Sequence, residues 1–436
     1  MSRIQGLITT TTSAMAGFSD APFAELLAVP AVCVLTAFLS YFSQFVFNTT
    51  ELEPGPLTRN ESVVFNTLLL CLWFSYFRAV TIDPGRFIFE EQVIDADVRW
   101  CKKCQAPKPP RAHHCRHCKR CIPKMDHHCP WTRNCVSMTT FPHFLRFLIY
   151  ADVSLWTLSY FIWQRFYALW ETRHMPAHLG PSLFALISLA MTSLVCGITT
   201  LALGLMLITT LKGWVLNRTT IEDMEVDRHE SNIRSGSKEW WDITGPDGEK
   251  LQFEEIEFPY DVGFFTNMAQ AMGTSNPLLW LLPLAGNPRL SKTGTGPGWT
   301  WEENGFNRKF GMWPPPDPEK LRRAGREFGM SRRNYETELQ DAGLSPEEQV
   351  EAFRRRQEED LKRRNRLMAE LEEVDEYGSD GDRDDDDRRY RNGWVNKDGE
   401  RLRDYGVDEE AEEQDEDVPI AELLRRRKGA TSYRDE

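Results

Sequence analysis

The sequence predicts an α-helical polytopic membrane protein with four transmembrane helices. Three features of its 436 residues support this fold class: four long apolar stretches, a segment rich in cysteine and histidine between the second and third of them, and an acidic C-terminal tail. The net charge of −13 arises in that tail, because residues 372–417 hold 21 acidic and 7 basic side chains. The overall charge therefore says nothing about the rest of the chain.

Each apolar stretch is long enough to cross about 30 Å of hydrocarbon as a helix. The predicted spans are 22–47, 63–82, 144–166 and 182–211. Buried helices of a soluble protein are the alternative, but the last stretch runs for 30 residues without a charged side chain. Residues 1–21 have no apolar core of the kind found in a cleaved signal peptide, so the first span is expected to act as the targeting segment.

The basic residues of the connecting loops predict the orientation. The loop 83–143 holds 11 Lys and Arg residues, whereas 48–62 holds one and 164–181 holds two. Because loops rich in Lys and Arg stay on the cytosolic side, we expect 83–143 and both termini in the cytosol. Residues 48–62 and 167–181 would then be lumenal loops.

Three charged residues fall within the spans. Arg78 and Arg146 lie close to span ends, where long side chains can reach the membrane surface. Asp152 lies about 12 Å along its helix, at a rise of 1.5 Å per residue, and so needs a partner. We expect a structural hydrogen bond there rather than a contact with a substrate cavity.

Residues 101–135 hold seven of the ten cysteines and five of the nine histidines. Two CxxC pairs, Cys101/Cys104 and Cys115/Cys118, precede Cys121 and Cys135, a spacing typical of ligands around tetrahedral zinc. Disulfides are the alternative, but they belong to secreted chains, and this segment is expected in the reducing cytosol. We therefore predict a cytosolic cysteine-rich domain with two structural Zn²⁺ ions.

Two closed sites of three cysteines and one histidine leave one of the seven cysteines over. Cys129 is the best candidate, because it follows Asp126, His127 and His128. These side chains can form an activated nucleophile, with His127 as the base and Asp126 orienting its ring. The alternative is that Cys129 binds zinc and another cysteine is free.

The motifs CxxC, KPPRAHHC, CxxC, MDHHCPW and NCV, in this order, resemble the DHHC protein S-acyltransferase (palmitoyltransferase) family. Residues 83–85 (DPG) and 219–222 (TTIE) flank them as in that family. Ser137 and Thr140 depart from the family pattern NCVGxxN, which puts the local turn geometry in question. The NPLLWLLP sequence at 276–283 is most similar to the fungal endoplasmic-reticulum branch, the protein fatty acyltransferase 4 type.

This resemblance implies transfer of a long-chain acyl group from acyl-CoA, through an acyl-enzyme on Cys129, to cysteines of membrane-associated client proteins. It implies a location in the endoplasmic reticulum membrane and polytopic clients such as chitin synthase. It also implies two sets of zinc ligands. The first set is Cys101, Cys104, His114 and Cys121, and the second is Cys115, Cys118, His128 and Cys135.

Basic residues of the same segment are placed to meet the phosphates of CoA, and Lys108, Arg111 and His113 are the principal candidates. A solvated basic face is the alternative for each of them. A different class of function is a membrane-anchored, RING-like zinc module that binds a partner without acyl transfer. Its ligand spacing would leave no free cysteine beside an Asp-His pair. Nucleic-acid binding is opposed by the four spans and the acidic tail.

After the last span we expect a cytosolic region over 212–318, a charged helical segment over 319–373 and an acidic disordered tail over 374–436. Thr219 and Glu222 also fit a helix capping box. Residues 259–283 mix aromatic residues with prolines. This segment either lies as an amphipathic piece at the membrane surface or closes a small core of the cytosolic region.

Overall fold

The computed structural model describes residues 22–89, 99–176, 180–234, 256–291, 294–308, 311–314, 354, 400–408 and 412–413. The predicted segment 1–21, the charged segment 319–373 apart from residue 354, and most of the tail lie outside these residues. The chain divides into two compact units. One comprises residues 1–231, 255–314 and 402–436 and contains every contact described below.

Four helices, each long and apolar enough to cross a membrane, occupy the predicted spans. The first begins as α1 (Pro22–Ala37) and continues through a π-helical turn (Phe38–Phe42) into α2 (Ser43–Thr49). The other three are α3 (Arg59–Thr81), α4 (Phe141–Glu171) and α5 (Leu183–Leu216). Helix α3 begins four residues before the predicted span because Thr58 and Glu61 form a capping box at its N-terminus.

Apolar side chains occupy both the interior and the exterior of the helical bundle. Helix α4 packs against α3 on one side and α5 on the other, and Phe65 meets Phe161 edge-on with ring centroids 5.7 Å apart. On the outer faces, Leu70, Trp163 and Leu201 are exposed. An apolar exterior of this kind is stable in hydrocarbon and unfavourable in water.

Short antiparallel strands form the cysteine-rich domain between α3 and α4. The pairs are β1 (Trp100–Cys101) with β2 (Ala106–Pro107), β3 (His113–Cys115) with β4 (Arg120–Ile122), and β5 (His127–Cys129) with β6 (Asn134–Val136). A 3₁₀ turn (Pro130–Thr132) connects β5 to β6. These hairpins are too short to build a large hydrophobic core, so they need another source of stability.

Hydrogen bonds fix the β5–β6 hairpin to the end of α3. The Asn134 amide donates to the carbonyls of Ala79 at 3.0 Å and Ile82 at 2.7 Å, groups that the end of a helix leaves without intrahelical partners. The Tyr76 hydroxyl donates to the carbonyl of Trp131 at 2.9 Å. The hairpin that carries Cys129 is therefore held at the end of the second span.

The post-membrane region packs back onto the bundle. It contains α6 (Thr220–Arg234), α7 (Phe264–Met272) and a 3₁₀ turn (Pro277–Leu279). Met272 and Trp280 are buried in the bundle core, whereas Leu278 and Leu282 are exposed. Part of residues 259–283 thus packs on the bundle core, and other apolar side chains of the segment are exposed. A position at the membrane surface stays a prediction.

Arg146 has a different role from the one expected of it. Its guanidinium is buried and donates to the carbonyls of Trp280 at 2.8 Å and Ala285 at 3.2 Å. It therefore anchors the post-membrane segment. Asp152 is fully buried on α4 beside Gly204 of α5, and neither carboxylate oxygen has a hydrogen-bond partner among the described residues. The structural hydrogen bond expected for Asp152 is not seen there.

Part of the acidic tail has a defined structure. Residues 402–405 form a 3₁₀ turn, and β7 (Glu412–Glu413) pairs with β1 of the cysteine-rich domain. The tail was expected to be disordered because of its charge, but these residues include Leu402, Tyr405 and Val407, which can be buried.

Candidate active site and metal clusters

Two clusters of cysteine and histidine lie within the cysteine-rich domain. In each cluster the potential ligand atoms all lie within 4.8 Å of one another. They are the two sets that the family resemblance implies: Cys101, Cys104, His114 and Cys121 in cluster one, and Cys115, Cys118, His128 and Cys135 in cluster two. Both histidines turn Nδ1 toward the sulfurs.

The alternation of side chains along a β-strand explains how the ligands interleave. Neighbouring residues of a strand point to opposite faces. His114 and Cys115 are adjacent on β3, so one joins cluster one and the other joins cluster two. Across the hairpin His114 pairs with Cys121, and on β5 and β6 His128 pairs with Cys135. Each of these pairs supplies two ligands of one cluster.

The dimensions of the clusters fit zinc. Bonds of about 2.3 Å to sulfur and about 2.05 Å to nitrogen in a tetrahedron place sulfur and nitrogen about 3.6 Å apart and two sulfurs about 3.8 Å apart. In cluster two, Nδ1 of His128 lies 3.6 Å from the sulfurs of Cys115 and Cys118 and 3.5 Å from that of Cys135. In cluster one, Nδ1 of His114 lies 3.2–4.0 Å from the three sulfurs.

The same alternation separates Cys129 from the clusters. His127 and Cys129 are two residues apart on β5 and share one face, whereas His128 faces cluster two. Among the described residues, Cys129 is the one cysteine of the domain that belongs to neither cluster. Its side chain is 2 % exposed and packs in the bundle core beside residues of α3 and α4.

Asp126, His127 and Thr220 form a hydrogen-bonded chain next to Cys129. The Asp126 carboxylate accepts from Nδ1 of His127 at 2.6 Å, and its Oδ2 also accepts from the Thr220 hydroxyl at 2.7 Å. The backbone amide of Thr220, at the start of α6, donates to Oδ1 at 2.8 Å. The Phe144 ring contacts the imidazole edge-on at 5.6 Å. Asp126 thus fixes the imidazole through Nδ1, and the buried Nε2 atom has no hydrogen-bond partner among the described residues.

The electrostatics of these three groups follow from their mutual contacts. Burial lowers the pKa of His127, but the Asp126 carboxylate and the Cys129 thiol outweigh it and raise the pKa to about 10. Burial raises the pKa of Cys129, and the neighbouring imidazole reverses this to a net lowering. Burial likewise raises the pKa of Asp126, and hydrogen bonds from His127 and Thr220 bring it below its usual value. Asp126 and Cys129 thus favour the protonated imidazole of His127, and His127 in turn favours the ionised form of Cys129.

Ser137 and Thr140 close their own turn where the family pattern has glycine and asparagine. The Thr140 hydroxyl accepts from the Ser137 amide at 2.9 Å and donates to the Cys135 carbonyl at 2.7 Å. The Ser137 hydroxyl donates to the Pro84 carbonyl at 2.7 Å, which ties this turn to the DPG segment. Ser137 does not have a positive φ, so the turn does not require glycine there.

Lys108, Arg111 and His113 are all buried, with 1 %, 3 % and 4 % of their surface exposed. The Arg111 guanidinium makes two contacts of 2.6 Å with the carboxylate of Glu222 and lies between the rings of Tyr260 and Trp301. Glu222 also closes the predicted capping box, accepting from the Thr219 amide at 3.0 Å. The TTIE motif therefore makes two contacts with the cysteine-rich domain: Thr220 binds Asp126, and Glu222 binds Arg111.

A basic cleft of about 480 Å³ opens beside the β5–β6 hairpin. Asn134, the strand partner of Cys129, lies in its wall. Its lining residues are Pro84, Arg86, Cys118, Lys119, Arg120, Arg133 and Asn134. Arg86 and Arg133 are exposed, whereas Arg120 is partly neutralised by Asp83 at 3.0 Å. The cleft can accept an anion.

Comparison with known proteins agrees with this geometry. Residues 95–227 match the family model described as DHHC palmitoyltransferase. A Palmitoyltransferase PFA4 of Gibberella zeae is 61 % identical over 95 % of this chain and 98 % of the relative. The chain belongs to the DHHC palmitoyltransferase family. A Neurospora crassa palmitoyltransferase pfa4 is 46 % identical over 92 % of this chain and 95 % of that protein. A Saccharomyces cerevisiae PFA4 is 34 % identical over 57 % of this chain and 69 % of that protein. Family membership supports acyl transfer over the RING-like alternative.

Sequence reasoning did not identify several residues that shape this palmitoyltransferase site. Asn134 and Tyr76 connect the Cys129 hairpin to α3. Asn134 stands in the NCV motif, but the motif did not predict this contact, and no spacing or composition signal marks Tyr76. Asn217 ends α5 in a left-handed conformation and accepts from Lys124 at 2.6 Å. An asparagine directly after a long apolar helix is a recognised C-cap signal that could have pointed to it.

Proposed function

We propose that Cys129 is the acyl-accepting nucleophile of a protein S-palmitoyltransferase, with His127 as its base and Asp126 as the group that orients the base. The observation that carries the proposal is the arrangement on β5. Two metal clusters take six cysteines of the domain and leave the one whose strand face also holds His127, itself bonded to Asp126. A thiol, an imidazole and a carboxylate in this order form the relay of an activated nucleophile.

The reaction proceeds in two thioester exchanges. The Cys129 thiolate attacks the carbonyl carbon of a long-chain acyl-CoA, the carbon–sulfur bond to CoA breaks, and the CoA thiolate takes a proton from the His127 imidazolium. A client cysteine then gives its proton to His127 and attacks the acyl-enzyme, and Cys129 leaves as the thiolate. Each step forms one thioester and breaks one, so little free energy is lost.

The metal clusters supply structure. In a closed Cys₃His site a Zn²⁺ ion has no open position for water, so the chemistry it supplies is cross-linking of the chain. We propose two structural Zn²⁺ ions held by the two ligand sets above. The chain's own contribution is the strand alternation that turns the ligands to one face and His127 with Cys129 to the other.

The location of Cys129 suits an acyl-CoA. Its side chain packs in the bundle core at the end of α3, where a thioester could enter from the cytosol while the acyl chain lies among the helices. Each buried methylene contributes about 0.8 kcal/mol, so a sixteen-carbon chain gains roughly 10 kcal/mol before ordering costs. The basic cleft lined by Arg86 and Arg133 could take the CoA phosphates. Contact of CoA with Lys108, Arg111 and His113 stays a prediction, and their burial would require a rearrangement.

We further propose the topology that the basic loops predict, with both termini and the cysteine-rich domain in the cytosol and the four spans in the endoplasmic reticulum membrane. The order of domains predicted from the sequence belongs to this proposal, with the helix bounds and the ordered tail residues 402–408 and 412–413 as the structure has them. Clients would be membrane proteins with cysteines near the cytosolic surface, chitin synthase among them. The similarity to the fungal branch supports this choice of location and clients.

Acylation of the purified full-length protein in nanodiscs tests the assignment. With labelled palmitoyl-CoA we expect one hydroxylamine-sensitive label, which mass spectrometry maps to Cys129. Cys129→Ala should lose the label, and Cys71→Ala, a cysteine of α3, should retain it. Label that persists at full stoichiometry in Cys129→Ala would refute the assignment of Cys129 as the nucleophile.

A further inference from the structure

A short segment of the acidic tail crosses the cysteine-rich domain and contacts both metal clusters. We name residues 402–408 together with Glu412 and Glu413 the strap. The Asp408 amide donates to the carbonyl of the cluster-one ligand His114 at 2.9 Å, and the Arg116 amide donates to the Gly406 carbonyl at 3.0 Å. Further along, β7 pairs with β1, so that Glu412 lies opposite the ligand Cys101. Backbone hydrogen bonds thus extend the domain with residues about 300 positions later in the chain.

Apolar burial anchors the strap. Val407 is 2 % exposed and forms a β-bridge with the cluster-two ligand Cys115. It packs in a small core with Ile122, Met125 and Ile221, and Leu402 and Tyr405 cover its edge. This core lies directly behind cluster two. A tail segment that only touched the surface of the domain would leave its valine side chain largely exposed to solvent.

Gly406 brings the backbone of the strap close to β5, the strand that carries His127 and Cys129. Its φ of +83° is left-handed, and a Cβ atom added there would lie 2.7 Å from Cβ of His128. The His117 ring stacks on the His128 ring with centroids 4.5 Å apart, and its Cδ2 would lie 3.6 Å from the same added Cβ atom. His128 is therefore supported by the strap at a point where a larger residue does not fit. Its neighbours on β5 are His127 and Cys129.

We propose that the strap is a positioning element of this enzyme, which holds the ligands of both clusters in place and thereby fixes the strand that presents His127 and Cys129. Gly406 is its positioning residue, because only glycine combines the left-handed backbone with the close approach to His128. The strap contacts His114 and Cys101 of cluster one and Cys115 and His128 of cluster two. Its undocking would loosen both clusters together. The activity part of the proposal rests on the proposed role of Cys129, whereas the metal-retention part does not.

The test compares two glycine substitutions in the full-length protein in nanodiscs. Gly406→Ala combines left-handed strain with the overlap on His128, whereas Gly305→Ala places the same strain, at φ +76°, where nothing lies within 4 Å. We expect zinc transfer to a chromogenic chelator to be about tenfold faster in Gly406→Ala and unchanged in Gly305→Ala. Cobalt-loaded Gly406→Ala should show an altered thiolate-to-metal absorption band. Equal zinc release by both variants and the unmodified protein would overturn the proposal.

Acylation kinetics separate positioning from substrate binding. We expect Gly406→Ala to lower the maximal rate of autoacylation while leaving the KM for palmitoyl-CoA unchanged. A raised KM with an unchanged maximal rate would contradict a positioning role. If Cys129 is not labelled in the unmodified protein, the proposed nucleophile fails, while faster zinc release in Gly406→Ala still supports the strap.

A cross-link on the unmodified protein guards against a variant that fails to fold. Lys103 and Asp408 form an ion pair between the domain and the strap. A water-soluble carbodiimide should join the Lys103 amine to the Asp408 carboxylate as an amide, with the water taken up by the carbodiimide to give a urea. We expect the linked peptide pair in the digest of the native protein and its absence after zinc removal. Failure to find it in the native protein, with other Lys–acid links recovered, would show that the strap is not docked.

Discussion

The hydroxyl of Thr220 offers a sharp test of how His127, the proposed catalytic base, is oriented. It donates at 2.7 Å to Oδ2 of Asp126, the same oxygen that accepts from His127 at 2.6 Å. Thr220→Val removes this bond with little change of volume. A hydrogen bond to a charged group contributes about 1.5–3 kcal/mol, which corresponds to a rate decrease of about 10- to 150-fold if it is fully expressed in the transition state. Because the Thr220 amide still donates to Oδ1, we expect a value near the lower end.

The assay is rapid-quench autoacylation under single turnover, which reports the first thioester exchange alone. Thr220→Ser should recover most of the rate, since it keeps the hydroxyl. Thr139→Val is the matched control, because its hydroxyl donates at 2.8 Å to the neutral carbonyl of Asp83 in the same domain. A Thr220→Val rate within twofold of the unmodified enzyme, or an equal loss in Thr139→Val, would refute the reasoning.

Three other substitutions test separate parts of the structure. Cys104→Ser should release one of two zinc ions, measured by elemental analysis of the purified protein, and retention of both would contradict the ligand set. Glu222→Gln leaves the buried Arg111 guanidinium without its counter-charge and should lower the free energy of unfolding by about 3–5 kcal/mol. The more exposed ion pair of Asp223 gives the control, since Asp223→Asn should lower it by less than about 1 kcal/mol. Chemical denaturation measures both. Arg133→Ala should raise the KM for acyl-CoA several-fold and weaken its salt dependence, and an unchanged KM would remove the basic cleft from consideration as the CoA site.

Most of the fold was predictable because its signals are local. The apolar stretches gave four helices, since hydrophobicity over about 20 residues is sufficient to indicate a span. The helix ends were less predictable. Thr58 and Glu61 extend α3 by a capping box. Helix α4 (Phe141–Glu171) begins three residues before and ends five residues after the predicted span, with Pro142 in its first turn.

The site was predictable where residue type and spacing define the chemistry, and not where long-range contacts do. Counting the ligands of two metal sites left one cysteine over, and the neighbouring Asp126 and His127 indicated that it is Cys129. The buried ion pair of Arg111 with Glu222 joins two segments more than 100 residues apart. The sequence therefore indicated that Arg111 is positively charged, but not that it is buried. The docking of Val407 depends on a surface made by the metal clusters, which no property of the acidic tail describes.

The placement of His114 and Cys115 on adjacent positions of β3 makes the two metal clusters a check on folding. A slip of one residue in the β3–β4 register would turn every side chain of the strand to the opposite face. His114 would then face cluster two and Cys115 cluster one, and neither set would retain its tetrahedral arrangement. Metal binding therefore favours the native register of β3 and β4. Cluster two also takes His128 from β5 and Cys135 from β6, so binding of both ions would in the same way favour the register that turns Cys129 away from the cluster.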